Sequence, residues 1–424
     1  MRETGTQGCY RIEGGHRLEG CVRISGAKNG VLPALSACLL TADACTIENA
    51  PAIDDVQFMG EILRALGAEV EQDREYPDVY RVDARNVRTA VAPTNLVVNL
   101  RGSFLVMGAL LARFGEAACS PPGGDVIGER PLDVHLGGFQ ALGAEISREG
   151  DKFVARARAL HGARIFLDYP SVLGTQNVLL AATLARGSSA IINAAAEPEI
   201  VSLATMLNAM GARISGAGTH TIEIEGVEQL HGATHRILPD RIEAGTFAIA
   251  AAVTGGDVRL TDAVPAHMDA LIAKLRQTGV RVEECDASLR ICCTRQLRCT
   301  SVQALPYPGL ATDLQAPVAV LLTQAQGVSM LHERVYENRM LYIGELRKFG
   351  AEIVSAGSAA IISGPTPLIG ASVRALDVRA GAASMLAGLA AHGETRISEI
   401  YHLDRAYEAL DSKLRGLGAV IERV

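Results

Sequence analysis

Several features that would point to a function at once are missing from this 424-residue chain. It has no tryptophan and only 4% aromatic residues, so its core has to be built from Ala, Leu, Ile and Val. No apolar run approaches the roughly 18 residues that a membrane-spanning helix needs, and the first nine residues lack the apolar region of a signal peptide. The sequence therefore predicts a cytosolic protein of two or three domains that does not bind membranes.

Positive charge is also in short supply. Forty Lys and Arg residues against 47 Asp and Glu give a formal net charge of −7, which argues against a general nucleic-acid binder. The nine cysteines form no C-x-x-C pairs and have no histidine companions, which predicts reduced thiols rather than a metal site. P-loop, G-x-S-x-G and H-E-x-x-H motifs are absent as well. An anionic ligand would need a local pocket of basic residues.

A short phrase of the form Leu-Gly-Ala-Glu-Val recurs along the chain at intervals of about 70 residues. Its six glycines are Gly67, Gly143, Gly211, Gly279, Gly350 and Gly418. In the first copy Val56, Met59, Leu63 and Leu66 precede the glycine with helical spacing. Each glycine is therefore predicted to end a helix and to precede a strand, and the period predicts six small α/β units.

A second helix, rich in Ala and Leu, is predicted in every copy and should be buried because it is apolar on nearly all sides. The predicted spans are 31–40, 105–114, 177–184, 247–253, 317–324 and 382–391. Three units per globule would give two similar domains with a boundary near 237–240, and a strand-like stretch over 10–24 could complete the last copy's sheet. Ligand sites favour the cleft between two such globules.

The segments in front of these helices carry cations and residues that can cap a helix. Lys28, Arg101 and Arg379 each stand there, close to Ser, Asp or Gly residues. A helix N-terminus presents free N–H groups and a partial positive charge, so converging helix ends predict an anion-binding floor. For any single copy the alternative is a simple cap beside a solvated cation.

A loop over 119–131, rich in Pro and Gly, contains Asp125 and Arg130. Such a composition is typical of a lid over a binding site, with an ordinary surface loop as the alternative. The chemistry on offer is that of Lys, Arg and Asp.

At these residues the sequence resembles the enolpyruvyl transferases, and within them those that use UDP-N-acetylglucosamine. The matching phrases cover nearly the whole chain and lie at 24–29, 122–124, 127–128, 130–131, 170–172, 195–201, 238–243, 306–309, 312–313, 315–316, 337–339 and 400–405. The resemblance implies an α/β fold of two inside-out α/β domains, each of three pseudo-repeats of about 70 residues. The implied domains are 27–238, which carries the lid, and 1–26 plus 239–424, with the active site in the cleft between them.

The resemblance also implies a reaction. An enolpyruvyl group would pass from phosphoenolpyruvate to the 3′-hydroxyl of UDP-N-acetylglucosamine by addition and elimination, with release of phosphate, as the first committed step of peptidoglycan biosynthesis. Both substrates are anionic, so charge-assisted contacts are needed. No cofactor, metal, nucleic acid or obligate protein partner is inferred. Addition at C2 with protonation at C3 requires one acid and one base.

By matching position, the resemblance gives roles to individual residues. Lys28, Arg130 and Arg405 would hold phosphoenolpyruvate, with Asn29 where the two substrates meet. Asp313 would face the sugar hydroxyl as the base. The UDP-sugar pocket would be formed by Arg101, Arg130, Pro131, Leu132, Asp133, Val134, Tyr169, Pro170, Ser171, Val172 and Val335.

Four further residues near these motifs are less specific. Arg379 and Asp377 would line the cleft, with a salt bridge as the alternative for Asp377. His135 and His402 are predicted to pack within the fold rather than to bind a ligand.

Two positions depart from the family pattern. Asp125 stands where most members carry a cysteine, and the nearest thiol, Cys119, matches an apolar strand position. A carboxylic acid whose pKa is raised can donate a proton, so Asp125 is predicted to be the proton donor. It cannot form the thioether by which fosfomycin inactivates the cysteine enzymes, which predicts fosfomycin insensitivity. Leu173 replaces a glycine and could narrow the sugar-nucleotide pocket or shift its backbone.

Two other functions stay open at this point. A sister transferase could use another acceptor, such as a shikimate phosphate or a uridine nucleotide. A catalytically silent paralogue could bind the UDP-sugar and regulate the pathway, which Asp125 and Leu173 would suit. Phosphate release with each candidate acceptor separates the three hypotheses.

Overall fold

The structure is a computed structural model that describes residues 8–124, 128, 131–293 and 296–424. The chain divides into two compact units. The N-terminal segment up to Ser25 and the chain from Pro239 onward belong to unit 1, and unit 2 covers 26–124 and 131–238. Among the described residues no helix is both long and apolar enough to cross a membrane.

Short strands and short helices alternate in both units. The strands are β1 (Tyr10–Glu13), β2 (Glu19–Arg23), β3 (Cys45–Glu48), β4 (Glu69–Gln72), β5 (Tyr80–Asp83), β6 (Glu116–Cys119), β7 (Glu145–Glu149), β8 (Lys152–Arg156), β9 (Arg164–Phe166), β10 (Ser188–Ile192), β11 (Arg213–Ser215), β12 (Thr221–Glu225), β13 (Thr234–Arg236), β14 (Asp257–Thr261), β15 (Arg281–Cys285), β16 (Ser288–Cys292), β17 (Val302–Ala304), β18 (Gly327–Glu333), β19 (Glu352–Ala356), β20 (Ala359–Gly364), β21 (Ser372–Arg374), β22 (Glu394–Ser398) and β23 (Val420–Arg423). The helices are α1 (Lys28–Ala37), α2 (Asp54–Leu66), α3 (Thr94–Val97), α4 (Val106–Phe114), α5 (Asp133–Ala141), α6 (Val172–Ala182), α7 (Pro198–Ala209), α8 (Arg241–Val253), α9 (Asp269–Gln277), α10 (Gln315–Thr323), α11 (Tyr342–Lys348), α12 (Val378–Ala390), α13 (Tyr401–Asp404) and α14 (Leu410–Gly416).

Unit 2 contains three sheets, with strand orders β13-β3-β5-β4, β6-β8-β7 and β11-β12-β10-β9. The sheet around β3 is mixed, since β3 runs parallel to β13 and antiparallel to β5. The buried helices α1, α4 and α6 pack against one another inside. Their side chains and the inner faces of the strands form one continuous hydrophobic core.

Unit 1 repeats this plan with the orders β15-β16-β14-β2, β17-β18-β20-β19 and β21-β22-β1-β23 around helices α8, α10 and α12. The N-terminal stretch forms two strands rather than one. Strand β1 lies between β22 and β23, so the prediction that this stretch completes the last sheet is confirmed for β1. Strand β2 instead pairs with β14 in a different sheet.

The six repeated glycines end helices as predicted. Their φ angles lie between 91° and 108°, the left-handed region that a residue with a Cβ adopts only with strain. At Gly67 a Cβ would also lie 2.6 Å from the backbone oxygen of Asn86. In front of it, α2 buries the predicted stripe of Val56, Met59 and Leu63. The sequence phrase thus marks the passage from an amphipathic helix to a strand.

Several buried helices begin earlier than predicted. Helix α8 begins at Arg241 rather than at residue 247, and α12 begins at Val378 rather than at residue 382. Their first turns contain polar residues, which an apolar pattern does not recognise, and tertiary contacts bury them. Asp240 and Asp377 cap these two helices by accepting hydrogen bonds from the second and third N–H groups after them.

Candidate active site

Lys28 is a fixed cation at the start of α1. Its Nζ lies 2.6 Å from the Oδ2 of Asp55, whose side chain is fully buried, and the lysine side chain itself is only 12% exposed. Asp55 stands in the first turn of α2, which packs against α1. The ion pair holds the lysine in one place because a buried carboxylate keeps a charged partner.

The neighbouring residue Asn29 belongs to the same helix end. Its backbone oxygen accepts a long hydrogen bond, 3.5 Å, from the side-chain amide of Gln176 on α6. Gln176 is fully buried. The first turn of α1 therefore lies beside α6 in unit 2.

Asn177, also on α6, connects three predicted parts of the sugar-nucleotide pocket. Its Oδ1 accepts a 2.8 Å hydrogen bond from the backbone N–H of Gly108 on α4. Its Nδ2 lies 2.8 Å from the carbonyl oxygen of Phe104 and 3.0 Å from the Nδ1 of His135. Phe104 belongs to the 3-10 turn Arg101–Leu105, and His135 belongs to α5. One buried amide thus ties the segments of Arg101, Val134 and Val172 together.

His135 packs within the fold, which confirms that prediction. It is 3% exposed, and its ring meets the edge of Phe104 at 5.3 Å between centroids. Burial, aided by the charge of Arg101, lowers the pKa of His135 to about 3. The ring is therefore neutral and accepts the hydrogen of Asn177 at Nδ1.

The segment after Tyr169 enters α6 without distortion. Tyr169 is 40% exposed, and the Oγ of Ser171 caps the helix by accepting a 3.1 Å hydrogen bond from the N–H of Gly174. Leu173 stands in the first helical turn and packs partly against the core of unit 2. The helical conformation at this position accommodates a leucine without strain.

Helix α5 continues the predicted pocket. Pro131 and Asp133 are exposed, Leu132 is half-buried and Val134 packs into the core. Val134 lies so close to α6 that a Cβ on Gly174 would be 2.5 Å from it. Asp125 and Arg130, the two predicted lid residues, lie outside the described residues.

Asp313 in unit 1 lies between two guanidinium groups. Its Oδ1 is 2.6 Å from an Nη of Arg339, and its Oδ2 is 2.7 Å from an Nη of Arg379. Both arginine side chains are less than 10% exposed. Burial alone would raise the pKa of Asp313, but the charges of Arg379 and Arg339 outweigh it and hold the pKa well below its usual range. The carboxylate is therefore ionised at neutral pH.

Thr312 and Glu333 brace this cluster. The Thr312 hydroxyl donates to Glu333 at 2.6 Å and accepts from Arg339 at 3.2 Å. The other Glu333 oxygen accepts the backbone N–H of Val335 at 2.7 Å. Val335, a predicted contact of the UDP-sugar, is thus held by the same network as Asp313.

Asp377 has the capping role that the sequence offers as the alternative for residues in front of the buried helices. It caps α12, with its Oδ1 accepting from the N–H groups of Arg379 at 2.7 Å and Ala380 at 2.9 Å. The cap presents Arg379 in the first turn of that helix, from which its side chain reaches Asp313.

Arg405 lies directly after α13 and is half-buried. The ring of His402, on the same helix, stacks on Tyr401 with 4.2 Å between centroids. Two residues after Arg405, Tyr407 contacts Arg379 through its hydroxyl at 3.1 Å. Arg405 therefore stands on a segment that is attached to the Asp313 cluster.

Three residues of these clusters escaped the sequence analysis. Arg339 was visible only as part of the matching phrase 337–339, without a role. The sequence assigned no role to Asp55, and Asn177 stood only at the predicted start of a buried helix. Their partners are distant in sequence, so local patterns contain no signal for them.

The chain is similar to known proteins over nearly its whole length. The family model for EPSP synthase (3-phosphoshikimate 1-carboxyvinyltransferase) matches residues 12–414. A protein of Magnetococcus marinus named UDP-N-acetylglucosamine 1-carboxyvinyltransferase is 48% identical over 97% of this chain and 98% of that protein. A protein of the same name from Gluconacetobacter diazotrophicus is 50% identical over 98% of this chain and 99% of that protein.

Solved structures agree with the fold. The enolpyruvyl transferase NikO from Streptomyces tendae has a TM-score of 0.89 at 28% identity and 99% coverage of both chains. EPSP synthase from Acinetobacter baumannii has a TM-score of 0.78 at 19% identity, covering 98% of this chain and all of that one. The chain thus belongs to the EPSP synthase family of enolpyruvyl transferases, and within it to the UDP-N-acetylglucosamine 1-carboxyvinyltransferases.

Proposed function

We propose that this chain transfers the enolpyruvyl group of phosphoenolpyruvate to the 3′-hydroxyl of UDP-N-acetylglucosamine and releases phosphate, as the first committed step of peptidoglycan biosynthesis. The observation that carries the proposal is the Asp313 carboxylate between Arg339 and Arg379, in a chain about half identical to transferases of that name. Such a cluster offers one anionic oxygen pair for a hydroxyl and two cations for an anionic substrate.

The two clusters divide the substrate chemistry. Positive charge for the phosphate and carboxylate of phosphoenolpyruvate comes from Lys28, Arg130 and Arg405. Of these, Lys28 is held in place by Asp55. The sugar nucleotide is held by Arg101, residues 131–134, residues 169–172 and Val335. The first three of these segments are tied together by Asn177. We propose that both sets act on the same pair of substrates, with Asn29 close to both.

Asp313 is the proposed base, although its low pKa makes it a weak one in the free protein. Anionic groups of phosphoenolpyruvate compete with Asp313 for the guanidinium groups of Arg339 and Arg379. As that pairing loosens, the pKa of Asp313 rises and the carboxylate becomes able to take the proton of the sugar hydroxyl. Substrate binding would thereby switch on the base.

The proposed proton donor to C3 is Asp125, since no described thiol can replace the usual cysteine of this loop. Cys119 is fully buried at the end of β6, and burial raises its pKa to about 12. Such a thiol neither donates a proton readily nor reacts as a thiolate.

Fosfomycin gives a direct check on the lid residue. Because a carboxylate forms no thioether with the drug, we expect no time-dependent loss of phosphate release when the purified protein is incubated with fosfomycin. In the variant Asp125→Cys, by contrast, phosphate release should fall with time of incubation with fosfomycin. Covalent, time-dependent inactivation of the wild-type protein would contradict the assignment.

The proposed activity is tested by phosphate release from phosphoenolpyruvate with UDP-N-acetylglucosamine, a shikimate phosphate and another uridine nucleotide as parallel acceptors. We expect release with the first alone and a fall of roughly a hundredfold or more in Asp125→Ala. Release with another acceptor would favour a sister transferase, and binding of the UDP-sugar without release would favour a regulatory paralogue. We place this activity in the cytoplasm, which fits nine free cysteines.

A further inference from the structure

The side chain of Arg379 has a second partner besides Asp313. Its Nη2 donates to Asp313 at 2.7 Å, while its Nη1 donates to the hydroxyl of Tyr407 at 3.1 Å. The guanidinium also lies over the Tyr407 ring, 5.7 Å from its centroid. Tyr407 is 3% exposed, and burial raises its pKa, so the phenol keeps its hydrogen. Arg379 is thus held from two sides.

The direction of each hydrogen bond follows from counting hydrogens. A guanidinium only donates, so the hydrogen between Arg379 and Tyr407 belongs to the arginine. A backbone carbonyl only accepts, so Thr246 gives its single hydroxyl hydrogen to the oxygen of Ile242, 2.9 Å away. The hydrogen of the Tyr407 hydroxyl is then the one that joins it to Thr246, 3.0 Å away. The chain of donors runs one way, from Arg379 to the first turn of α8.

We propose that Tyr407 and Thr246 are positioning residues for Arg379, which they orient so that its guanidinium can pair with Asp313 and then with the anionic substrate. This inference rests on the proposed function. Thr246 fixes the hydroxyl hydrogen of Tyr407, so the lone pairs of the phenol oxygen face Arg379. Neither residue touches the reacting atoms, and both act through the arginine.

The same unit contains a matched arrangement at Tyr10. The hydroxyl of Tyr10 accepts a 2.9 Å hydrogen bond from Arg423, whose guanidinium lies 5.2 Å from the ring centroid and pairs with Asp404. Tyr10 is 1% exposed. Tyr10→Phe therefore removes a hydroxyl of the same kind from the same unit without altering the contacts of Arg379.

The kinetic test compares kcat and KM for both substrates in Tyr407→Phe, Thr246→Val, Thr246→Ser and Tyr10→Phe. Loss of the hydrogen bond to a charged group should lower kcat of Tyr407→Phe by roughly tenfold to a hundredfold, with KM for the UDP-sugar within about threefold of wild type. Thr246→Val should lose about threefold to tenfold. Thr246→Ser keeps the hydroxyl and Tyr10→Phe lies elsewhere, so both should stay within about twofold of wild type.

The double variant Tyr407→Phe with Thr246→Val decides whether Thr246 acts on Arg379 through Tyr407. Because Thr246 works only through Tyr407, the double variant should be no slower than Tyr407→Phe alone. If the losses in kcat of the two single variants multiply in the double variant, the proposed hydrogen-bonded relay is wrong. A wild-type kcat in Tyr407→Phe, or a loss of kcat in Tyr10→Phe equal to that in Tyr407→Phe, would also overturn it.

Crystal structures of the wild type and of Tyr407→Phe separate this inference from the proposed function. We expect Arg379 of the variant to leave its single position and to lengthen or lose its contact with Asp313. An unmoved Arg379 would overturn the inference. If the wild type releases no phosphate with any acceptor, the proposed function fails, and the position of Arg379 still decides the inference.

Discussion

Buried charged partners hold single side chains in position in this protein, and at Asp313 they also decide the charge state. Lys28 and Asp313 both lie at helix starts with solvent nearby, yet each is held by partners that are more buried than itself. Asp55 behind Lys28 is fully buried, and the arginines beside Asp313 nearly so. Removing one partner of such a pair leaves the other charge unbalanced, which costs more than the loss of a surface ion pair.

Asp55→Asn should therefore impair catalysis as well as stability. The neutral amide no longer fixes the Lys28 ammonium, so we expect kcat/KM for phosphoenolpyruvate to fall by roughly tenfold to a hundredfold. The control is Glu225→Gln, which breaks an exposed ion pair with Arg213 of the same unit, 2.7 Å apart. Steady-state kinetics with equal losses in both variants would contradict a role for Asp55 in holding Lys28.

Glu243 predicts a dependence of stability on pH. It is buried on α8, accepts the N–H of Ser25 at 2.7 Å and pairs with Lys413 at 2.5 Å. Burial, opposed by Lys413, raises its pKa from 4.5 to about 7. A carboxyl with a raised pKa stabilises the folded state fully below pH 4.5, and that contribution is lost as the pH rises through about 7.

Glu243→Gln removes this titration. The free energy of unfolding of the wild type, relative to that of the variant, should fall between pH 4.5 and pH 7 by at most about 3 kcal/mol. Urea denaturation at several pH values measures it. Glu394→Gln provides a control of opposite sign, because a hydrogen bond from Arg396 lowers the pKa of Glu394. A pH-independent difference for Glu243→Gln would refute the assignment.

For helices and strands, the sequence predicted features that depend on neighbouring residues and missed those that depend on contacts with distant segments. The six glycines and the stripe of α2 predicted where helices end, because both depend on near neighbours in sequence. The early starts of α8 and α12 were missed, since polar first turns are buried only by contacts with distant segments. The function of Asn177 could not be read for the same reason, as its partners lie on three other elements.

Asn177→Leu tests how far one buried amide organises its surroundings. Losing it leaves the N–H of Gly108 and the carbonyl of Phe104 without their partner, which should cost about 2–5 kcal/mol of stability. KM for the UDP-sugar should rise, because the segments of Arg101 and Val172 lose their common support. Asn208→Leu is the control, as Asn208 makes two hydrogen bonds to Ile214 on an exposed surface. Equal KM values in the two variants would contradict the account.

For the whole molecule, the scarcity of aromatic residues and of positive charge now has a physical reading. Six buried helices rich in Ala and Leu form two cores, which leaves little room for tryptophan. The net charge of −7 argues only against diffuse anion binding, because Lys28 and Arg379, two cations of the proposed site, are each fixed by a carboxylate. Repeats and motifs sufficed to predict this architecture, whereas the pairing of Asp313 with Arg339 and Arg379 required the folded chain.

The central claim is that this chain joins the enolpyruvyl group to the sugar nucleotide. Mass spectrometry of a reaction of phosphoenolpyruvate with UDP-N-acetylglucosamine, run alongside a phosphate assay, tests it most directly. We predict a sugar nucleotide that carries one enolpyruvyl ether on its 3′-hydroxyl, formed in equal amount to the phosphate released and lost in Asp313→Ala. If UDP-N-acetylglucosamine stays unchanged after prolonged incubation with the wild-type protein and phosphoenolpyruvate, the claim is contradicted.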